Sequence, residues 1–153
     1  MSSKERFKLI PAVYLILRKD NKVLLLQRAN SGYQDGNYSL VSGHLDGDEL
    51  AKDALIREAA EEAGITLLSK NLTLRHVAHR LNRDDGPNVE RMDLFFEATE
   101  WEGEITNKEP HKCDDLSWYE IDELPHNIIP LVRQVLTNVA NGIAYSEYIT
   151  EPQ

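Results

Sequence analysis

Three carboxylates set the chemistry of this 153-residue chain. Glu58, Glu61 and Glu62 stand at i, i+3 and i+4, so on a helix of 3.6 residues per turn all three project from one face. Like charges at those spacings cost roughly 0.2–0.5 kcal/mol per pair when exposed, and more once desolvated. A hard divalent cation relieves that repulsion, because Mg²⁺ takes oxygen ligands from a few carboxylates and completes its octahedron with water and phosphate oxygens. A solvated glutamate-rich helix face would account for the three acids alone, but the residues around them ask for more.

From Gly43 the chain reads GHLDGDELAKDALIREAAEEAGI. It fits Gly, five residues, Glu, seven residues, then Arg-Glu-apolar-any-Glu-Glu-any-Gly-apolar without a mismatch. At about 7% usage per residue type, so many fixed positions should match by chance in well under one chain in a million. Asp46 or Asp48 suits the N-cap of a helix running to about Ala63, and Gly64 supplies its C-terminal stop. Leu50, Ala51, Ala54 and Leu55 should precede the acids on the same face, which turns from apolar to anionic along the helix.

This pattern is the Nudix box, and the chain resembles a Nudix hydrolase of the MutT-like branch at Gly43, Glu49, Arg57, Glu58, Ala59, Glu61, Glu62, Gly64 and Ile65. Glu58 and Glu62 are the expected direct ligands of Mg²⁺ (or Mn²⁺ in its place), with Glu61 next. Ser42 stands where the family has a second glycine whose carbonyl binds metal, and it still offers a carbonyl. Arg57 presents a fixed fork of donors able to hold a neighbouring carboxylate, and Glu49 is expected to orient the loop or Arg57. The resemblance implies hydrolysis of the pyrophosphate linkage of a nucleoside diphosphate derivative. Glu58 is one candidate for the base; Asn107-Lys108-Glu109 looks like the family's Gly-Lys-Glu stretch, which makes Glu109 the second. The catalytic set so read is Glu58, Glu61, Arg57 and Glu109.

The elements that must position these residues are legible in outline. Apolar runs at Pro11 to Leu17 and Val23 to Leu26 flank a turn at Asp20-Asn21, giving a hairpin with both faces covered. Ala29 to Asn37 reads as a loop and Tyr38 to Val41 as a short strand. Strands are expected at Leu72 to Leu81, Arg91 to Thr99 and Leu116 to Ile121, the first two joined by a turn over Asn82 to Asn88. A last helix should run from Asn127 to about Asn141, ended by Gly142. One α/β (α+β) domain over residues 1–153 follows, and the resemblance makes it an αβα sandwich with a mixed central sheet.

Composition narrows the partners. The chain carries 26 acids against 17 bases, for a net charge of -9. That disfavours a nucleic-acid polymer or an anionic membrane as partner, while a metal-bound polyphosphate remains compatible. Cys113 is the only cysteine, which excludes an internal disulfide framework and suits a reducing cytoplasmic setting. The apolar run Leu9 to Leu17 is too short to span a bilayer and no signal cleavage site follows it. Arg28, Tyr38 and Arg91 are the candidate substrate contacts, and Tyr33, Phe95 and Trp118 could stack on a base. His76, His79, Arg80 and Arg83 add positive charge after the box. Motifs resembling those of ADP-ribose, dinucleoside polyphosphate, NADH and coenzyme A hydrolases are absent. By elimination, a (d)NTP cleaved to (d)NMP and pyrophosphate is the expected reaction. ADP-ribose or nucleotide-sugar hydrolysis, or a non-catalytic nucleotide sensor, are the rivals. A homodimer is the assembly to be tested.

Overall fold

The computed structural model describes residues 4–82 and 90–150. β1 (Ile10–Lys19) and β2 (Lys22–Arg28) form the expected hairpin, with Asp20 at φ 54° making the tight turn. β1 then leaves β2. Its residues Ala12 to Leu15 pair antiparallel with β4 (Val41–His44), and its other edge runs parallel to β6 (Glu90–Ala98) from Ile10 to Leu17. β2 is flanked by β3 (Tyr38–Ser39) and by β7 (Cys113–Glu120), both antiparallel. β5 (Thr73–Asn82) pairs antiparallel with β6 and parallel with β8 (Tyr145–Thr150). The sheet is therefore mixed and central, and its strands are as apolar as two covered faces require.

α1 (Ala51–Ala63) lies on one face and α2 (Pro130–Ala140) on the other. Under α1, the buried Ala54, Leu55, Ala59 and Ala63 meet Val13, Leu15 and Phe96; under α2, Val132, Val135 and Leu136 meet Ile16, Leu25 and Phe95. Strand alternation divides the sheet between these two cores, Phe96 serving one and Phe95 the other. The domain is the αβα sandwich expected.

Several boundaries differ. α1 begins after Leu50, with no side-chain cap from Asp46 or Asp48, because the loop before it is organised by Glu49 instead. Leu50 is exposed, not part of the apolar face. The expected strand at Tyr38 to Val41 breaks at Leu40 into β3 and β4, which serve different neighbours. α2 starts three residues late, at Pro130, because Tyr38 draws the preceding segment into the sheet: its N–H bonds the Asn127 carbonyl, and Ile129 N–H returns to the Tyr38 carbonyl. β8 was not expected; the buried His76 ring fastens it through the Ile143 carbonyl (2.8 Å) and the Ser146 hydroxyl (2.6 Å). The turn read over Asn82 to Asn88 lies, past Asn82, outside the described residues.

Candidate active site

α1 packs against β4, and that contact builds the site. A Cβ on Gly43 would overlap the carboxyl of Glu58 and stand 2.7 Å from its Cγ, so only glycine lets the helix carboxylate lie against the strand. Gly43 sits in an ordinary strand; its role is room for the Glu58 side chain. One residue earlier, the Ser42 N–H donates to Glu62 Oε2 at 3.1 Å. β4 thus holds both carboxylates expected to bind metal, Glu58 by shape and Glu62 by a hydrogen bond.

Arg57 orders the rest. Its Nη2 donates to Glu49 at 2.9 Å and its Nη1 to Glu58 at 2.8 Å, with Asp46 at 3.2 Å and Glu61 at 3.7 Å. Glu49 in turn accepts the Asp46 N–H at 2.9 Å. One guanidinium therefore locks the loop before α1 to the helix and aims Glu58.

At the far end of α1, Gly64 adopts φ 68° and the segment after Trp101 covers it. Thr106 and Lys108 donate backbone N–H groups to the carbonyls of Ala63 and Glu62, and the Lys108 side chain lies over Gly64. Asn107 donates to the Cys113 carbonyl at 2.7 Å and accepts the Glu109 N–H at 3.1 Å. Glu109 is thereby brought to the mouth of the same cleft as the helix carboxylates, a cavity of about 640 Å³.

Electrostatics follow from this crowding. Burial first, then the charges of Glu58 and Glu109, raise the Glu62 carboxyl to about 8; the Ser42 N–H and Arg28 work in the opposite direction. Burial also raises Glu58, against the pull of Arg57. A half-buried acid with an anionic neighbour on each side suits a cation beside it. Among the described residues no three such side chains are drawn together at metal-ligand spacing, since Glu58 is turned onto Arg57 and Glu62 onto Ser42. The donor set nonetheless fits a hard divalent ion: carboxylate oxygens from Glu58, Glu61 and Glu62 line one cleft with Ser42 beside them.

The remaining candidates divide. Arg28 lines the cleft, its Nε on the Tyr33 carbonyl at 2.8 Å and its guanidinium 5.5 Å from the Tyr33 ring centre. Arg91 lines it also, as do Tyr33 and Arg80. Tyr38 does not: its hydroxyl donates to Asp115 at 2.8 Å and accepts from Tyr119, and its ring packs against Tyr119. Phe95 is wholly buried, Trp118 pairs with Trp101 beneath α1, His76 serves β8, and His79 bonds Glu90. Arg83 lies outside the described residues. The Cys113 thiol is buried, donates to the Asp115 carbonyl and is raised by desolvation, which makes it a poor nucleophile. Tyr14, His44 and Lys112 are cleft residues that sequence reading missed. Of these only His44, inside the box segment, had a signal; Tyr14 sits in an apolar run. Among the described residues no helix is long and apolar enough to cross a membrane.

Residues 8–139 match the NUDIX domain family model. An 8-oxo-dGTP diphosphatase from Proteus vulgaris is 35% identical over 104 residues, which cover 68% of this chain and 88% of that protein. An NAD-capped RNA hydrolase, NudC, from Photorhabdus laumondii is 28% identical over 78% of this chain, which spans only 44% of that longer protein. Among solved structures, the MutT NUDIX hydrolase of Burkholderia pseudomallei superposes with a TM-score of 0.77 at 25% identity, over 85% of this chain and 97% of the other.

Proposed function

From the premise that this chain belongs to the Nudix family and is a pyrophosphohydrolase of nucleotide derivatives, we propose that it cleaves a nucleoside or deoxynucleoside triphosphate to the monophosphate and pyrophosphate. The observation that carries this reading is the meeting in one cleft of Glu58, Glu61 and Glu62 from α1, Glu109 from the loop before β7, and Arg28 from the end of β2. Hydrolysis at phosphorus needs neutralised phosphate oxygens, an aligned water and a base, and these residues supply each. The compact relative named for a nucleoside triphosphate, matched over most of its length, favours that substrate class.

Glu58, Glu62 and Glu61, with the Ser42 carbonyl, would hold Mg²⁺, which when bound neutralises phosphate charge and acidifies water. Arg57 keeps Glu58 aimed and itself takes no part in bond making. Arg28, fixed by the Tyr33 carbonyl and Ser31, is placed to hold a phosphate oxygen. Glu109, whose N–H is tied to Asn107, takes the proton from the attacking water; the new P–O bond forms as the anhydride bond breaks, and pyrophosphate leaves with the electron pair.

The test is nucleoside monophosphate release with Mg²⁺ across dNTPs, NTPs, ADP-ribose and nucleotide sugars, for the natural chain and for Glu62→Gln. Triphosphates should lead the panel, and EDTA or Glu62→Gln should remove the activity. A panel led by ADP-ribose would overturn the substrate class, and activity indifferent to EDTA would overturn the metal.

A further inference from the structure

The cleft has an end that the hydrolytic chemistry leaves unused. Arg80 of β5 and Arg91 of β6 are direct cross-strand partners, and like charges so placed repel. One carboxylate lies close, and it pairs with Arg80: Asp93, wholly buried, takes Arg80 Nε at 2.6 Å and Nη2 at 3.5 Å. Arg91 has no carboxylate partner among the described residues. Its Nη1 donates to His44 Nε2 at 3.2 Å, so that nitrogen must accept and the imidazole is neutral; its Nε is enclosed with no partner among the described residues. Tyr14, stacked on Phe95 at 4.5 Å between ring centres, steadies Arg80 through its hydroxyl at 3.4 Å. Arg80, Arg91, His44 and Tyr14 all line the cleft that holds Glu58 and Glu62. This end carries two guanidiniums for one carboxylate, and Arg80 and Arg91 can only donate.

Its occupant follows from what lies between the two ends. Ala12 and Leu26 on the sheet, with Ile129, Leu131 and Val132 at the start of α2, give the cleft apolar walls suited to a flat ring and poor for a polyphosphate. His44 stands two residues beyond Ser42 on β4, about 7 Å along the strand, roughly one sugar's length from the carboxylate end. Cations for the phosphates are already present there in Arg28 and Lys112.

We propose that Arg80 and Arg91 read the nucleobase by its carbonyl edge, selecting 6-oxopurines over 6-aminopurines. This rests on the nucleotide-hydrolase reading and adds the base to it. Guanine and hypoxanthine present two acceptors, O6 and N7, to a pair of guanidiniums, whereas adenine turns the N6 amino donor toward groups that can only donate. A contact of this kind discriminates by roughly tenfold to a hundredfold.

The experiment compares kcat/KM for dGTP, dITP, dATP and the triphosphate of 2,6-diaminopurine deoxyriboside, in the natural chain, Arg91→Gln and Arg91→Lys. dITP should follow dGTP, and the diaminopurine nucleotide should follow dATP, because the 6-position decides. A glutamine amide suits adenine N6 and N7, so Arg91→Gln should erase or reverse the ratio while Arg91→Lys keeps its direction. A dATP value within twofold of dGTP, or an unchanged ratio in Arg91→Gln, overturns the proposal while leaving the hydrolase reading standing. Calorimetric Kd values for dGMP, dIMP and dAMP separate the two claims. If no triphosphate is cleaved but dGMP and dIMP bind at least tenfold tighter than dAMP, the hydrolase reading fails and base selection stands; equal Kd values overturn base selection. The comparison in the natural chain decides even where a variant fails to fold.

Discussion

Gly43→Ala isolates the contact on which the site depends. The added Cβ would stand 2.7 Å from Glu58 Cγ, against the 3.4 Å at which ordinary contact begins, so that part of Glu58 must retreat by roughly 0.7 Å and its carboxyl by more. Glu58 is held by Arg57 at 2.8 Å and is only 14% exposed, which leaves it little freedom to retreat while keeping its aim. A displacement near 1 Å in a positioned catalytic group costs on the order of a hundredfold. We therefore expect kcat to fall about 10²-fold, equivalent to about 2.7 kcal/mol. Stability should change little, because a side chain yields rather than backbone and the part-exposed Arg57–Glu58 pair is worth about 1 kcal/mol or less; the melting temperature should drop by under about 4 °C. Gly142→Ala is the opposite control: φ is 72° with nothing within 4 Å of an added Cβ, so it should lose about 1 kcal/mol of stability and keep its kcat. Pyrophosphate release at saturating Mg²⁺ and a thermal melt on each variant measure both effects. A Gly43→Ala protein with kcat within twofold of the natural chain would refute the steric argument, and one that loses its fold would place the glycine's importance in the backbone.

Three more outcomes follow from the same geometry. Arg57→Ala frees Glu49 and Glu58 together and should lower activity ten- to a hundredfold, with Arg57→Lys intermediate because it lacks the fork that spans both. Asn107→Ala removes both side-chain bonds that tie Glu109 to the Cys113 segment and should lower kcat with little change in KM, checked by steady-state kinetics against Thr106→Ala, whose side chain among the described residues bonds the Glu104 carbonyl alone. In EDTA, Glu62 holds its proton up to about 8 in the folded chain against an ordinary value of 4.5. The fold binds that proton more tightly than the unfolded chain does, so the contribution is whole below about 4.5 and is lost as pH rises toward 8. The loss should be of order 2–4 kcal/mol. Melts from pH 5 to 8.5 should slope downward in EDTA, flatten in Glu62→Gln, and show Mg²⁺ stabilising the natural chain more at pH 8 than at pH 5.

How much of this could be read from the chain depended on how local the cause is. Glu58, Glu61 and Glu62 share a face because helical pitch fixes it, and the hairpin follows from two apolar runs around Asp20-Asn21. The αβα arrangement and the catalytic class came with the box. Long-range partners were out of reach. Tyr38 looked available for substrate, but its hydroxyl is taken by Asp115, 77 residues away. β8 has few apolar inward positions and is held largely by backbone pairing to β5 and by His76, none of it visible as periodicity. The cap expected of Asp46 or Asp48 failed because Arg57, a full helical turn inside α1, recruits Glu49 and so dictates the loop.

The net charge of -9 describes the cleft poorly, because the cleft is polarised. At one end the carboxylates outnumber their cations, and burial with the charges of Glu58 and Glu109 raises the Glu62 carboxyl. At the other, the arginines outnumber their carboxylate, and desolvation and Arg91 lower the His44 imidazole below its ordinary value. A substrate carrying phosphates with a divalent ion at one end and a base with exposed carbonyl and ring-nitrogen acceptors at the other satisfies both imbalances at once. Neither a free polyphosphate nor a free base can. Binding of the whole nucleotide with Mg²⁺ should therefore exceed what its fragments bind separately, and a dGTP affinity no better than that of inorganic triphosphate with the same ion would show that the arginine end contributes nothing.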